Sequence, residues 1–387
     1  MELDERVAAF RREFPQLEER IYFNHAAHAP VPRSVVLAAA QGLEVGSKVA
    51  LGGEHWNAYH GTEEEVRRLA ACLVGVEAGQ IAFVGNTSAA LSLVACSIPW
   101  KPGDNIVSAR VENAANLAPW LNLRDLGVEV RLLPAGQDDR VDLVELRALT
   151  DRRTRLVALS AVQYATGQRL DLASVVAFCR PRGILVSVDA VQALGAVPLN
   201  AKALGVNFLA AGGHKWLMGL TGMGIFYVDE LATGLVRTPV LGEKNIAGET
   251  GARERDPELR LFTDAGKFEA GEPSLAGLYG LGQALRNVEA CGLEEISQRL
   301  YRLTEQLAEG LRRLDCRVIS PRGDEEWSGI VTFEPPGLPA ADVVHRLGER
   351  AITTAVRRGR VRVSPHYYNT PGEIDTMLTA LREIMAS

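Results

Sequence analysis

Short apolar runs alternate with helical segments through most of the chain, and this alternation limits the possible folds more than any other feature. Each run is rich in β-branched residues and ends at polar or glycine residues, which predicts a buried strand. The runs are 81–84, 107–111, 128–133, 156–160, 184–188, 206–211 and 224–228. Strands that alternate with helices form right-handed βαβ units and build a mostly parallel sheet. The sequence therefore predicts an α/β fold.

Composition narrows the class of protein. At 387 residues the chain is too long for one ordinary core, so two domains are expected. The net charge of −6, without a block of basic residues, argues against nucleic acid as a partner. We find no run of about 20 apolar residues, so no membrane partner is expected. The five cysteines have no metal-ligand spacing, and they predict a reducing cytoplasm and no metal site.

One lysine, Lys215, lies between two glycine-rich turns in the stretch 211–224, with a predicted strand on each side. Burial there lowers the pKa of a lysine, because desolvation disfavours the ammonium form. The neutral amine can form an imine with an aldehyde. Taken alone, the tripeptide 213–215 fits an ordinary loop lysine equally well, so the interpretation depends on the rest of the site.

Two other strand ends carry groups that suit one cofactor. Asp189 follows the strand 184–188, at the edge where open α/β sheets bind ligands, and can keep a pyridine nitrogen protonated. The strand 81–84 leads through a polar turn into a helix that begins near Thr87 and Ser88. Such a helix start binds phosphate through amides and hydroxyls, although a simple N-cap is the alternative. Together with Lys215, these groups predict pyridoxal 5'-phosphate as the cofactor.

Five stretches extend this pattern over nearly the whole chain. They are 22–27 (YFNHAA), 188–195 (VDAVQALG), 213–216 (GHKW), 267–271 (KFEAG) and 361–370 (VRVSPHYYNT). In these motifs and their order the chain resembles class V aminotransferases of the cysteine-desulfurase-like family, which are fold-type I pyridoxal-phosphate enzymes.

The resemblance implies a domain plan. A large cofactor-binding domain with a mostly parallel seven-stranded sheet is expected over 21–273, and a small α+β domain over 274–387. A helix within 1–20 is expected to pack on the small domain. The resemblance also implies a homodimer with its sites near the subunit interface.

The resemblance assigns roles to individual residues. Lys215 would bind the cofactor and move the Cα proton, Asp189 would contact the ring nitrogen, and Gln192 would donate to the phenolic oxygen. The residues expected at the cofactor are Thr87, Ser88, Gln163, Tyr164, Asp189, Gln192, His214 and Lys215. The entry segment would place Ala27 and His28 beside the substrate. A structural hydrogen bond is the alternative for His28.

Arg362 alternates with valines on a predicted strand. A buried guanidinium needs a partner, and the α-carboxylate of an amino acid matches its two-pronged donor geometry. The family uses an arginine at this position for that purpose. An internal ion pair is the alternative.

Three positions depart from the family pattern. Ala114 stands where many relatives carry a histidine that stacks on the cofactor ring, and Gly212 stands where many carry a phosphate-binding serine. Glu272 replaces a threonine that reaches the partner subunit's phosphate. A carboxylate repels a phosphate at short range, so either Glu272 turns away and Ser274 takes its place, or the match to the family motif is shifted by one residue here.

The type of reaction is limited by a missing cysteine. Desulfurases of this family carry a nucleophilic cysteine on a loop before the strand of Arg362, whereas here the stretch 353–362 has a short turn and no cysteine. The nearest upstream thiol is Cys316. We therefore expect an enzyme that deprotonates Cα of an α-amino acid, for transamination or for C–S (β-)elimination.

Several alternatives stay open. They are a cysteine desulfurase with a displaced cysteine, an isopenicillin-N-epimerase-like racemase, and a non-catalytic protein that only binds pyridoxal phosphate. The glycines in 219–224 superficially resemble a nicotinamide-nucleotide loop. They precede a strand rather than join a strand to a helix, which makes that interpretation weak.

Overall fold

A seven-stranded sheet forms the centre of the larger part of the chain; the structure, a computed structural model, describes residues 3–248 and 260–386. The strands are β1 Ile21–Tyr22, β2 Ile81–Val84, β3 Asn105–Ala109, β4 Glu129–Leu133, β5 Thr154–Ser160, β6 Leu185–Asp189, β7 Phe208–Gly212, β8 Gly224–Val228, β9 Arg317–Val318, β10 Val331–Glu334, β11 Ile352–Thr353, β12 Ala355–Arg357 and β13 Arg360–Val363. The sheet order is β2-β8-β7-β6-β5-β3-β4, and only the pairs that involve β8 are antiparallel. The predicted α/β fold with a mostly parallel seven-stranded sheet is confirmed.

Helices cover both faces of this sheet. The α-helices of the whole described chain, including those of the C-terminal part, are α1 Leu3–Arg11, α2 Arg33–Lys48, α3 Glu54–Val74, α4 Thr87–Ser97, α5 Ala118–Leu121, α6 Leu146–Leu149, α7 Leu172–Cys179, α8 Ala201–Leu204, α9 Glu230–Leu235, α10 Leu275–Cys291, α11 Leu293–Arg313, α12 Ala340–Glu349 and α13 Pro371–Ala386. Because side chains alternate along a strand, Ile81 and Phe83 enter one apolar cluster with α3 and α10. Ala82 and Val84 enter another with α4. Burial on both faces explains why the strands are continuous apolar runs in the sequence.

The parallel strands end side by side at one edge of the sheet. Ser160, the last residue of β5, pairs with Asp189, the last residue of β6, and Asp189 pairs with Ala210 of β7. Open α/β sheets bind their ligands at this edge. The register therefore brings segments that are distant in sequence together at one position.

A smaller antiparallel sheet has the order β12-β13-β10-β9. β12 and β13 form a hairpin joined by Arg358 and Gly359, whose φ angles are 49° and 75°. Two successive positive φ values are typical of the tight turn that fits the twist of a hairpin. In the hairpin register, Arg357 pairs with Arg360, so Arg357, Arg360 and Arg362 lie on the same face.

The domain limits stay a prediction. The contacts of the helices α1 and α10 show which parts of the chain these two helices pack against. Arg11 of α1 forms an ion pair with Glu373 of α13 at 2.6 Å. α10 begins just inside the predicted small domain, 274–387, but it packs against α2 and α3. A Cβ on Gly42 of α2 would lie only 2.7 Å from the carbonyl oxygen of Leu275, so the helices α2 and α10 need glycine at their crossing.

Within the described residues one helical segment, 33–51, is long and apolar enough by length and composition to cross a membrane. No such run was identified in the sequence, so this finding qualifies the expectation that there is no membrane partner. Val35, Ala39 and Gly42 are buried, but only 17% of the apolar window is buried in all.

Candidate active site

A cavity of about 200 Å³ lies at the carboxyl edge of the parallel strands. Its lining residues are Asn86, Thr87, Ser88, Asn113, Ala115, Ser160, Tyr164, Asp189, Val191, Gln192, His214 and Lys215. The predicted site residues that meet there are Thr87, Ser88, Tyr164, Asp189, Gln192, His214 and Lys215. Lys215 and Asp189 thus share one cavity, as the cofactor hypothesis requires.

The loop that carries Lys215 is held by backbone hydrogen bonds. Gly213 donates to the carbonyl of Met223 at 2.9 Å, and Gly219 donates to the carbonyl of Gly213 at 2.8 Å. Met218 donates to the carbonyl of Lys215 at 2.9 Å and has a φ of 55°, a value that side-chain-bearing residues rarely adopt. These contacts orient Lys215 toward the cavity.

Lys215 and Asp189 set the electrostatics of the site. Burial lowers the pKa of Lys215 to about 8; the charge of Asp189 opposes this shift, while Arg362 and Arg357 add to it. Asp189 accepts a hydrogen bond from the Val191 amide at 2.9 Å, and burial raises its own pKa. Roughly a tenth of Lys215 is then neutral at neutral pH, enough to attack a carbonyl carbon.

The start of α4 forms the end of the cavity that suits an anion. Asn86 caps the helix by accepting a hydrogen bond from a first-turn amide at 2.9 Å, so the N-cap interpretation is correct for this residue. Thr87 Oγ1 accepts a hydrogen bond from the Gly212 amide at 2.9 Å, and Ser88 is exposed. A Cβ on Gly212 would lie 3.0 Å from His214 Nδ1, so bare backbone keeps this end open. Burial lowers the pKa of His214 to about 4, which leaves it neutral.

Gln192 is fixed at the cavity wall by two buried contacts. Its Nε2 donates to the carbonyl of Ala26 at 2.9 Å, and its Oε1 accepts from Trp216 Nε1 at 2.8 Å. Trp216 was not predicted as a site residue. Its position directly after Lys215 was the only signal in the sequence.

Gln163 does not line the cavity. It is buried behind it and donates through Nε2 to Glu112 at 2.8 Å. Glu112 also accepts hydrogen bonds from the amide of Ser160, at 2.7 Å, and from its hydroxyl. Burial raises the pKa of Glu112 to about 7, and the nearby charge of Asp189 adds to the shift. Sequence reasoning missed Glu112, although an acid shortly after a buried strand was a usable signal.

Arg362 is buried beside the cavity. Its Nη1 donates to the carbonyl of Tyr164 at 2.7 Å and its Nη2 to Asn24 at 3.3 Å, while its buried Nε has no partner in the part of the chain that the structure describes. Burial lowers the pKa of Arg362 to about 9. Across residues 3–248 and 260–386 no carboxylate lies within 4 Å of it, so the internal ion pair is not found. Arg357, which the sequence prediction omitted, acts electrostatically on both Arg362 and Lys215.

The entry segment lies next to the site without forming its wall. His28 is exposed, and its ring centroid is 5.4 Å from that of His214. The amide of Ala29 donates to the carbonyl of His214 at 2.9 Å. Neither Ala27 nor His28 lines the cavity, so their substrate contacts stay a prediction.

The structure shows where the side chains lie at two of the positions that depart from the family pattern, Ala114 and Glu272. Ala114 is exposed, whereas its neighbour Ala115 lines the cavity. Glu272 accepts a hydrogen bond from the Tyr59 hydroxyl and forms an ion pair with Lys244 at 3.2 Å. The carboxylate of Glu272 thus has partners of its own within the chain.

Comparison with known proteins identifies the family. The model of the family described as aminotransferase class-V matches residues 21–377. The chain belongs to the class V aminotransferase family. Enzymes of this family depend on pyridoxal phosphate, and so does this one.

The relatives reported for this class V enzyme cover nearly its full length. A cysteine desulfurase of Escherichia coli strain K12 / DH10B is 31% identical over 98% of both chains, and a probable cysteine desulfurase of Pyrococcus abyssi is 29% identical over 97% of both. The apo structure of the cysteine desulfurase from Thermococcus onnurineus NA1 superimposes with a TM-score of 0.87 at 28% identity over 98% of both chains. The cystine C-S lyase C-DES, in complex with its product cysteine persulfide, superimposes with a TM-score of 0.86 at 25% identity, over 96% of this chain and 99% of C-DES.

The residues present fit pyridoxal phosphate. Lys215 supplies an amine for the aldehyde, Asp189 supplies an acceptor for a protonated ring nitrogen, and the open start of α4 suits a phosphate. One buried polar atom, Arg362 Nε, has no partner among the described residues and lies beside this region. Buried polar groups are normally hydrogen-bonded, so this unpaired atom is consistent with a polar ligand.

Proposed function

We propose that this class V enzyme cleaves the Cβ–S bond of cystine or a related amino acid by β-elimination, without forming a persulfide on the protein. The carrying observation is the two-residue hairpin turn, Arg358 and Gly359, beside a cavity that Lys215 and Asp189 share. The turn leaves no loop that could carry a cysteine to the site. The sulfur must then leave with the rest of the substrate and is not transferred to a cysteine of the protein.

The cysteines of the chain support this proposal. All five are free, and none lines the cavity that the described residues form. Cys316, the nearest before the hairpin, is buried in the C-terminal core, and burial raises its pKa to about 11. A thiol with a raised pKa forms little thiolate at neutral pH and is a poor nucleophile.

Two arginines favour an amino acid with more than one acidic group. Arg362 suits the α-carboxylate, because its guanidinium is buried and lacks a carboxylate partner within the described ranges. Arg357 lies on the same hairpin face and adds a second guanidinium. Cystine carries two carboxylates, and the similar fold of a cystine C-S lyase supports the same substrate class.

The chain's own groups can perform the elimination. Pyridoxal phosphate, when bound, supplies an aldehyde for the substrate's amine and a ring that accepts the electron pair of a broken Cα bond. Arg362 holds the carboxylate, and the neutral Nζ of Lys215 takes the proton from Cα. The Cβ–S bond then breaks, its electron pair leaves with sulfur, and sulfur takes up one proton. The released enamine and one water give pyruvate and ammonia.

Product analysis tests this function. The purified protein, loaded with pyridoxal phosphate, is incubated with L-cystine and with L-cysteine, and pyruvate, ammonia, alanine and protein-bound sulfane sulfur are measured. We expect pyruvate and ammonia in equal amounts, with the sulfur released as a thiol or persulfide. Alanine with sulfane sulfur on the protein would indicate a desulfurase, the 2-oxo acid of the substrate a transaminase, and absence of turnover a non-catalytic protein. Each of these three results contradicts the proposal.

We also propose that the enzyme is a homodimer. Apolar side chains of α2, of the turn after it and of the start of α3 face solvent in the single chain: Val36, Leu37, Leu43, Leu51 and Trp56. Large apolar side chains that are exposed close together in sequence suit an interaction site. Light scattering after gel filtration is expected to give twice the chain mass, and Leu43→Glu is expected to reduce it. A monomeric wild-type protein would refute the proposal.

A further inference from the structure

The orientation of the Gln192 side-chain amide follows from its two neighbours. An indole N–H can only donate a hydrogen bond, and a backbone carbonyl can only accept one. Trp216 Nε1 lies 2.8 Å from one end of the amide, and the Ala26 carbonyl lies 2.9 Å from the other. Both contacts require Oε1 toward Trp216 and Nε2 toward Ala26, so the assignment does not depend on a choice between oxygen and nitrogen.

This orientation determines what Gln192 offers to a ligand. One hydrogen of Nε2 is used by Ala26 and the second is left over, while Oε1 is turned toward Trp216 and accepts from its indole N–H. Gln192 lines the cavity, so it presents a donor there. A half-turn of the amide would set the oxygen against the Ala26 carbonyl and the NH₂ group against the indole N–H. Both contacts would then be repulsive, in a region where Gln192 is buried.

Trp216 can hold the amide because it is itself held firmly. It is fully buried, and a Cβ on Gly195 or on Gly329 would lie 2.5 Å from its carbonyl oxygen or its indole ring, respectively. His366 Nδ1 accepts a hydrogen bond from the Tyr367 amide at 2.9 Å, so the ring hydrogen is on Nε2. That Nε2 donates to the Trp216 carbonyl at 3.0 Å. Burial lowers the pKa of His366 to about 4, which keeps this tautomer neutral.

We propose that Trp216 is a positioning residue that locks the amide of Gln192 with its N–H toward the cavity, ready for an anionic oxygen on the bound ring. The proposal rests on the proposed function, because it assumes that pyridoxal phosphate occupies this cavity. It extends that function to a residue that does not line the cavity. Through Gly329 and His366, the C-terminal part of the chain takes part in setting the polarity of the site.

A spectroscopic pH titration tests whether Trp216 orients the amide of Gln192. The anionic oxygen of the ring stabilises the cationic form of the neighbouring nitrogen of Lys215. A hydrogen-bond donor on that oxygen reduces this stabilisation, so it lowers the pKa of the nitrogen. Trp216→Phe keeps an aromatic ring and removes the N–H. We expect the midpoint of the pH-dependent visible band of the bound cofactor to rise by up to about one pH unit, because the Ala26 carbonyl alone then holds the amide and the hydrogen bond to the charged oxygen is weakened.

The chain contains a matched control. Trp120 is also fully buried, and its Nε1 donates to Asn116 at 3.2 Å, outside the cavity. Trp120→Phe removes a similar hydrogen bond and is expected to leave the midpoint unchanged. An unchanged midpoint in W216F, or an equal rise in W120F, overturns the proposal. If W216F does not fold, the benzothiophene analogue of tryptophan at position 216 replaces N–H by sulfur and keeps the shape.

A second variant separates this inference from the function itself. Gln192→Glu replaces the donor by an acceptor and is expected to raise the midpoint further than W216F. If Q192E shifts the midpoint and W216F does not, the positioning role is wrong while the cofactor site stands. If the wild-type protein has no visible band that disappears in Lys215→Ala, the proposed function fails, and the positioning role fails with it.

Discussion

Arg357 and Arg362 lie on one face of the β12–β13 hairpin, and within residues 3–248 and 260–386 neither guanidinium has a carboxylate within 4 Å. The third arginine of this face, Arg360, forms ion pairs with Glu334 at 2.9 Å and Asp139 at 2.8 Å. The three arginines of this hairpin face thus differ in whether a carboxylate pairs with them. A buried charge without a partner is unfavourable, so Arg362 is suited to the carboxylate of a ligand.

Replacement of Arg362 tests carboxylate binding. Arg362→Lys keeps the charge but loses the two-pronged geometry, so kcat/KM for L-cystine is expected to fall about 10- to 100-fold. Cystamine, which lacks carboxylates, serves as the reference ligand, and its inhibition constant against cystine cleavage is expected to change little. Arg360→Lys, on the same face, is expected to leave kcat/KM unaltered. Equal weakening of cystine and cystamine would contradict a role in carboxylate binding.

The nucleophilicity of Lys215 is expected to depend on pH. Only the neutral amine reacts with acetic anhydride, so competitive acetylation of the cofactor-free protein, followed by peptide mass spectrometry, reports its pKa. The reaction at Lys215 is expected to rise with a midpoint near pH 8, because burial lowers its pKa to about 8. The exposed Lys202 is the internal reference.

Asp189 should shift that midpoint in a defined direction. The carboxylate stabilises the ammonium form, so Asp189→Asn removes an influence that raises the pKa of Lys215, and the midpoint should move to lower pH. A midpoint near that of an ordinary lysine, about 10.4, would show that Lys215 is not desolvated. A shift to higher pH in D189N would contradict the electrostatic pairing.

Glu112 should make stability depend on pH. Its pKa is raised from 4.5 to about 7 in the folded chain, so the folded state binds more protons than the unfolded state between these values. Stability from this group is therefore present below pH 4.5 and is lost as pH rises through 7, by about 3 kcal/mol. The difference in free energy of unfolding between wild type and Glu112→Gln is expected to decrease from pH 5 to pH 8 in urea titrations.

Glu129 provides the control for that experiment. Its pKa is lowered, chiefly by a hydrogen bond from Arg131, so its contribution changes only at more acidic pH. Glu129→Gln is expected to show no such trend between pH 5 and pH 8. If E112Q behaves like E129Q, the raised pKa of Glu112 is wrong.

Removal of cysteines tests the absence of a protein nucleophile. The triple variant Cys72→Ser, Cys96→Ser and Cys316→Ala removes both exposed thiols and the thiol nearest the hairpin in sequence. We expect its rate of pyruvate formation from cystine to equal that of the wild type. A variant that folds normally but no longer releases sulfur, with the loss traced to one of these positions, would favour a desulfurase.

Much of the site could be predicted because its residues lie in short motifs that can be recognised in the local sequence. Lys215, Asp189 and the start of α4 lie at ends of predicted strands, and the carboxyl ends of parallel strands must meet at one edge. The same reasoning could not distinguish the cavity wall from the layer behind it. Gln163 was placed at the cofactor, yet it is turned to Glu112.

The sequence by itself determined the α/β class, the family and the residues that suit pyridoxal phosphate, because periodicity and short motifs are local properties. Only the tertiary structure decided that Trp216 orients Gln192, that Glu112 is buried behind Asp189, and that Arg357 faces the same way as Arg362. Gln192 contacts Ala26 across 166 positions of the chain. Such contacts depend on how strands and helices pack, and packing sets burial, partners and pKa values that no single segment of sequence contains.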